Sequence, residues 1–348
     1  MTTMNGPPTH DAANVAFNYY GRWRAGSTAA SINSGSLVEF AYTGHACELL
    51  FDVGGFTQYP AIFVQVDEGP VLKTTLSAAL TSVAIHPPYN GVYDEKAPLA
   101  GGCSACHVVR WWVGAHSLYL MSAQGRQWAT LDGGCRFRGV RLGEGGELLP
   151  LPRVTRQIEF LGDSITQGLR LLYNGADDDT GQQIPYANWT QVVADLLAMR
   201  PIVTGFGGQG ITTAGTSGAP PAEFAFPFAF QDAPWVPAIQ PEAVVIYQGT
   251  NDPVDAGVFR VGYERFLRTV RGARPAAWIF GVCPHLQGRY AEAIGKSVVA
   301  LGDRRAQFLN YSDGVIARGD TSDGCHLNPG GATRLAVRLA GDLERMRS

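Results

Sequence analysis

The stretch Gln157-Ile158-Glu159-Phe160-Leu161-Gly162-Asp163-Ser164-Ile165-Thr166-Gln167-Gly168 passes from a short apolar run directly into a serine at an expected helix start. Buried parallel strands read as brief, nearly continuous apolar segments, and Gln157 to Leu161 has that form. Pro201 to Gly205, Ala243 to Gln248 and Trp278 to Val282 repeat it downstream. Helical periodicity accompanies these runs: Trp189, Val192, Val193, Leu196 and Leu197 fall on one face, as do Ala332, Leu335, Ala336, Leu339 and Leu343. Alternating strands and helices predict a three-layer α/β/α domain with a mostly parallel sheet over residues 154–348.

Upstream the period is different. Short runs of β-branched and aromatic residues are broken by Gly, Pro, Asn and Ser, predicting strands at Leu37 to Thr43, Ala46 to Val53, Ala61 to Asp67, Val71 to Ser77, Thr81 to His86, His107 to Val113, His116 to Ser122 and Arg136 to Leu142. Leu37, Glu39 and Ala41 alternate with Val38, Phe40 and Tyr42, the pattern of a half-buried strand. Eight such strands predict a β-sandwich of jelly-roll type over residues 1–142. A Gly- and Pro-containing linker at 143–153 separates it from the α/β domain.

Composition narrows the function. The 348 residues are 45% hydrophobic and 16% charged, with 43 glycines and 21 prolines that follow no period, so collagen, coiled coil and disordered tails are excluded. A net charge of −3 argues against nucleic acid or anionic membrane as partner and favours a small-molecule or carbohydrate one. No apolar run reaches the ~18 residues of a membrane span. The polar start Met1 to His10 lacks a signal pattern, giving a cytoplasmic reading as written, or a secreted one if a signal has been trimmed.

Six cysteines are too few for a disulfide scaffold. Cys103, Cys106 and His107 spell the C-x-x-C-H of haem attachment, but a strand-like run follows at once, and no second Cys/His pair stands at zinc-finger spacing. Buried thiols or a single disulfide is the expected state. No cofactor and no metal are predicted.

In parallel sheets, reactive residues gather at the carboxyl ends of the strands. Here those ends carry Ser164, the turn Gly205-Phe206-Gly207-Gly208-Gln209-Gly210, and Gln248-Gly249-Thr250-Asn251-Asp252, with Asp323-Gly324-Cys325-His326 before the last helix. A serine needs a base to become a nucleophile, and an imidazole titrates near neutrality. An acid three residues before His326 can accept its other ring N–H and fix the tautomer. This spacing favours Asp323 over Asp320 and Asp313. An attacked ester develops an oxyanion, for which the Ser164 and Gly210 backbone N–H groups and the Asn251 amide are candidate donors.

The four segments resemble the ordered blocks of the SGNH (GDSL) hydrolase superfamily: G-D-S-I-T with Ser164, a glycine block with Gly210, G-T-N-D with Asn251, and D-x-x-H with Asp323 and His326. The glycine block departs from the family pattern, with Gly205 where an Asn is frequent, which leaves Gly207 and Gly208 open beside Gly210. The whole layout is similar to carbohydrate esterase family 2. That resemblance implies a serine esterase that removes O-acetyl groups from oligo- or polysaccharides. Two other functions stay open: a lipase- or thioesterase-like hydrolase, and a carbohydrate-binding protein with an ancillary hydrolase.

Plainer roles are set beside these. Ser164 and Asn251 stand where caps form, Asp163 and Asp252 are expected to brace loops, and the run Asp177, Asp178, Asp179 reads as a solvated loop. Tyr19, Tyr20, Trp23, Trp111 and Trp112 are either sugar-stacking platforms or core, with at least one of the adjacent pair turned inward. The Pro/Phe-rich stretch Ala219 to Trp235 either lines the cleft or packs beneath it.

Overall fold

The computed structural model describes residues 7–85, 106–115, 126–173, 175, 182–285 and 288–347. The expected strand His116 to Ser122, Cys103 and Asp177 to Asp179 lie outside them. The amino-terminal part contains β1 (Thr9–Asp11), β2 (Asn18–Tyr20), β3 (Ala29–Ser31), β4 (Leu37–Thr43), β5 (Cys47–Phe51), β6 (Ala61–Val66), β7 (Leu72–Thr75), β8 (Ser82–Ile85), β9 (Cys106–Gly114), a short helix α1 (Arg126–Thr130), β10 (Cys135–Leu142) and β11 (Leu148–Leu149). They pair antiparallel in two sheets, β1-β10-β5-β8 with β3 beside β10, and β11-β4-β9-β6-β7 with β2 beside β4. Phe40, Trp111, Phe51 and Phe137 fill the space between them. Within the stretch expected as a linker, Leu148 and Leu149 extend the second sheet by pairing with Tyr42 and Ala41.

Strand β4 departs from the half-buried expectation, since Leu37 through Tyr42 are all buried. Val38, Phe40 and Tyr42 face the sandwich core. Leu37 joins Tyr20, Phe63 and Trp112 in a second apolar cluster against Val154 and Tyr186 of the following part of the chain. The outer face of this sheet is therefore covered by the α/β domain rather than by water.

The carboxyl-terminal part begins with β12 (Gln157–Gly162) and α2 (Ser164–Gln167), followed by α3 (Trp189–Leu196), β13 (Arg200–Gly205), α4 (Ala222–Ala225), β14 (Phe228–Phe230), β15 (Ala233–Pro234), β16 (Ala243–Tyr247), α5 (Ala256–Ala273), β17 (Trp278–Cys283), α6 (Ala291–Ala300), β18 (Ala306–Asn310) and α7 (Pro329–Arg347). Strands β13-β12-β16-β17-β18 form one sheet in that order, parallel throughout. Side chains of a strand alternate between faces, which assigns the layers. Ala243, Val245 and Tyr247 of β16 meet α3 and α7 through Trp189, Val193, Leu335 and Leu339. Val244 and Ile246 meet Phe259, Phe266 and Leu267 of α5 and Ile294 of α6.

Two local expectations change. Leu196 is exposed while Ala194 is buried, so the inner face of α3 follows 189, 193, 194 and 197. Strand β18, Ala-Gln-Phe-Leu-Asn, has no continuous apolar run because it is an edge strand with only Ala306 and Leu309 buried.

The domains meet on an interior of their own. Ala30, Ile32 and Trp128 of the sandwich pack with Phe206, Ala219, Ala225, Ala229, Phe230 and Ala233. Ala219, Ala225, Ala229, Phe230 and Ala233 of the Pro/Phe-rich stretch thus pack between the domains, while Ala222 and Phe226 join the layer of α5 and Phe224 is exposed. Next to this stretch, Arg22 is fully buried and holds Glu159 of β12 at 2.8 Å, while Arg274 binds the other oxygen of Glu159 at 2.7 Å. Phe226 and Trp235 cover both guanidinium groups, with ring centroids 4.8–5.6 Å away. Of the candidate sugar platforms, Tyr20, Trp23, Trp111 and Trp112 are buried, Trp111 completely, and belong to the core. Tyr19 is half-buried, and its hydroxyl donates to the Ala12 carbonyl.

Candidate active site

Strand β12 ends at Gly162, whose Cα lies against α2. A Cβ there would come within 2.0 Å of Thr166 Oγ1. Asp163 caps the helix by accepting the Ile165 N–H at 2.9 Å, and Gly168, at φ 82°, ends it one turn later. The Trp189 indole N–H of α3 holds the same turn through the Ile165 carbonyl. Ser164, the first residue of α2, thereby has a fixed direction and a backbone N–H with no partner inside its helix.

His326 is brought to it from the loop before α7, 162 residues later. The Ser164 hydroxyl lies 2.9 Å from His326 Nε2, and His326 Nδ1 lies 2.8 Å from Asp323 Oδ2. Ser164 and His326 are 6% and 7% exposed, so the pair is shielded yet reachable from solvent. The other Asp323 oxygen accepts the backbone N–H groups of Cys325 and His326 at 3.0 and 2.8 Å. Burial alone would raise the Asp323 pKa. The hydrogen bonds from His326 and from Arg170 outweigh that and hold the carboxyl well below the usual range. Asp320 is engaged elsewhere, by Arg334 and the Ala317 N–H.

The expected oxyanion donors are only partly arranged. Asn251 reaches the site but donates to the Gln209 carbonyl at 2.9 Å and to Asp163 Oδ2 at 3.3 Å. The Gly210 N–H donates to the Thr213 carbonyl at 2.9 Å, so an oxyanion would have to compete for it. The need for glycine at 210 comes from elsewhere. A Cβ would sit 2.5 Å from the carboxylate of Asp252, which is fully buried and accepts the N–H groups of Ile211 and Thr212. Asp252 is thus a brace for the glycine turn, as its position suggested.

Two further residues belong to the site. His285, after β17, is buried. Its Nε2 donates to the Cys325 carbonyl at 2.9 Å and its Nδ1 accepts the Tyr247 hydroxyl at 2.7 Å, while burial lowers its pKa. It ties the Asp323–His326 loop to the sheet as a neutral imidazole. Its place beyond a strand end was a usable signal. Arg170 donates to Asp323 Oδ2 at 2.9 Å; it follows Ser164 by six residues and nothing in its sequence context marks it.

Cys47, Cys135 and Cys283 are buried thiols. Among the described residues no group of three His, Cys, Asp or Glu side chains is placed to hold a metal ion, and no helix is long and apolar enough to cross a membrane.

The profile of the GDSL-like lipase/acylhydrolase family matches residues 160–334, just over half of the chain and the whole span from Ser164 to His326. The chain belongs to that family. It is accordingly a carboxylic ester hydrolase of the GDSL type. Similar solved structures extend through both domains. They include a family two carbohydrate esterase from Cellvibrio japonicus (TM-score 0.78, 18% identity, 98% of this chain and 98% of that chain). Another is a family two carbohydrate esterase from Clostridium thermocellum in complex with cellohexaose (0.75, 20%, 94% and 98%). A third is an acetyl xylan esterase from the rumen bacterium Butyrivibrio proteoclasticus (0.77, 16%, 97% and 98%). These likenesses show the fold. No curated protein matches the chain.

Proposed function

We propose that the protein is a serine esterase that removes O-acetyl groups from carbohydrates through an acyl-enzyme. The observation that carries the reading is the continuous line Ser164 Oγ, His326 Nε2, His326 Nδ1, Asp323 Oδ2, with contacts of 2.9 and 2.8 Å at the carboxyl edge of the sheet. Ser164 Oγ attacks the ester carbonyl carbon as His326 Nε2 takes its proton, and Asp323 stabilises the imidazolium. The Ser164 N–H and the Asn251 amide hold the oxyanion, the latter by releasing its longer bond to Asp163. Gly210 contributes its N–H only if that group leaves Thr213. His326 then protonates the departing sugar alkoxide and activates a water that frees acetate and restores Ser164.

The carbohydrate substrate is supported by the likeness of both domains to family two carbohydrate esterases, one of them solved with cellohexaose. An acetylated oligosaccharide also agrees with the low net charge. The test is acetate release from a panel of acetylated oligosaccharides, together with an acyl-length series of 4-nitrophenyl esters and Ser164→Ala as control. Turnover of acetyl esters that falls steeply with chain length supports the reading. Preference for long acyl chains would replace it with a lipase-like one, and a Ser164→Ala protein that stays active would remove the mechanism.

A further inference from the structure

Asp323 Oδ2 receives two donors rather than one: His326 Nδ1 at 2.8 Å and Arg170 Nη1 at 2.9 Å. With two backbone N–H groups on Oδ1, the carboxylate has a donor for each of its about four lone-pair sites. Its orientation is fully determined.

Arg170 comes from the turn that carries the nucleophile, two residues beyond Gly168. Its backbone is left-handed, φ 56°, a region a non-glycine residue seldom occupies. The Tyr173 N–H closes the turn on the Arg170 carbonyl, and the guanidinium lies 4.8 Å from the Tyr173 ring centroid. Both members of the Arg170–Asp323 pair are largely shielded, at 15% and 12% side-chain exposure, which keeps their interaction from being lost to solvent screening.

We infer that Arg170 is a positioning residue: it locks the Asp323 carboxylate and, by sharing Oδ2 with the imidazole, weakens the pull of Asp323 on the imidazole proton. This rests on the reading of His326 as the general base. A carboxylate that faces an imidazole favours the imidazolium, and a permanent positive charge on the same oxygen opposes that. The consequence is an enzyme that stays active at lower pH than an isolated Asp–His pair allows.

The other described groups around His326 do not supply this effect. Ser164 is a neutral donor at Nε2. His285 is held neutral by burial. The Cys325 thiol is pushed up to about 11 and remains protonated. Asp163 acts in the opposite sense once ionised, and burial pushes its pKa up to about 6. Among the described residues, Arg170 is thus the permanent cation in contact with this pair.

The test is the pH profile of kcat/KM on 4-nitrophenyl acetate for the wild type, Arg170→Lys, Arg170→Gln and Arg170→Met, with thermal melts to establish folding. Asp163 is common to all four proteins, so differences between them isolate residue 170. Removing the charge in Arg170→Gln and Arg170→Met is expected to move the acid limb to higher pH by about 0.5 to 1 pH unit. Arg170→Lys keeps it near the wild-type position, with a lowered plateau. An acid limb unmoved in both uncharged variants overturns the inference, whatever their plateau. Should one of them fail to fold, the other decides. Loss of folding in both, with Arg170→Lys folded, also overturns it, because the charge would then serve the fold alone. Activity in Ser164→Ala would sink the underlying mechanism instead, so the two failures are distinguishable.

Discussion

Asp163 and Asp323 both border the Ser164–His326 pair, and their surroundings drive them in opposite directions. Asp323 is held ionised by its donors, so its stabilising contribution is complete above the ordinary carboxylate range and is lost only as the pH falls through its depressed value. Asp163 is fully buried, and burial pushes it up to about 6 against the pull of the Ile165 N–H. In the unfolded chain it ionises near pH 4. Between those values the folded state binds the extra proton, so stability falls as the pH rises from about 4 through about 6. Asp163→Asn should flatten that part of a melting-temperature profile, by an effect of roughly 3 kcal/mol at most. A profile as steep as the wild type's would refute it. Asp323→Asn is expected to lower kcat by a factor of about 1,000 to 10,000 with little change in KM, because it no longer fixes the tautomer. Asn251→Ala should cost on the order of 100-fold in kcat. Steady-state kinetics on 4-nitrophenyl acetate reads both.

At the scale of elements, the nucleophile turn is held by close approach. Helix α2 can lie on β12 because residue 162 has no side chain. Gly162→Ala would drive a methyl group into Thr166 and the Tyr247 carbonyl, displacing Ser164 from His326. We expect that variant to lose most activity and several degrees of melting temperature; Gly162→Ala with a wild-type kcat would show that the strand–helix contact does not position the serine. The strands that carry the site were readable because buried parallel strands are apolar on both faces. Strand β18 was not, since an edge strand needs apolar residues only where it packs. The inner face of α3 was misplaced by one residue, at Leu196, because periodicity does not report which neighbours the helix meets.

For the whole molecule, the contact between the domains is the main structural fact. Trp128 and Phe206 meet edge to face at 5.5 Å, and each large apolar side chain buried there contributes roughly 1.5–3 kcal/mol. The same interface buries Arg22 on Glu159. Breaking a buried ion pair by removing one partner costs about 3–5 kcal/mol, here moderated because Arg274 remains on Glu159. Arg22→Met is therefore expected to lower the melting temperature markedly while the two domains still unfold together. Calorimetry checks this: two separated transitions in the wild type would mean that the interface does not couple them. Residues 154–348 alone would expose Phe206, Phe230 and Trp235, and we expect that fragment to be poorly soluble. A detachable binding module fits this interface poorly.

The sequence by itself determined the α/β class, the sandwich, and the candidates Ser164, Asn251, Asp323 and His326, because strand periodicity and short spacings are local properties. Only the tertiary structure decided what depends on elements distant in the chain. It placed Arg170 on Asp323 and His285 under Cys325, put the Gly210 N–H on Thr213, and turned the aromatic residues at 20, 23, 111 and 112 inward. It also put Ala219, Ala225, Ala229, Phe230 and Ala233 into an interior between the domains. A polar or aromatic side chain takes its role from the partners that the fold brings to it, and those partners come from remote parts of the chain.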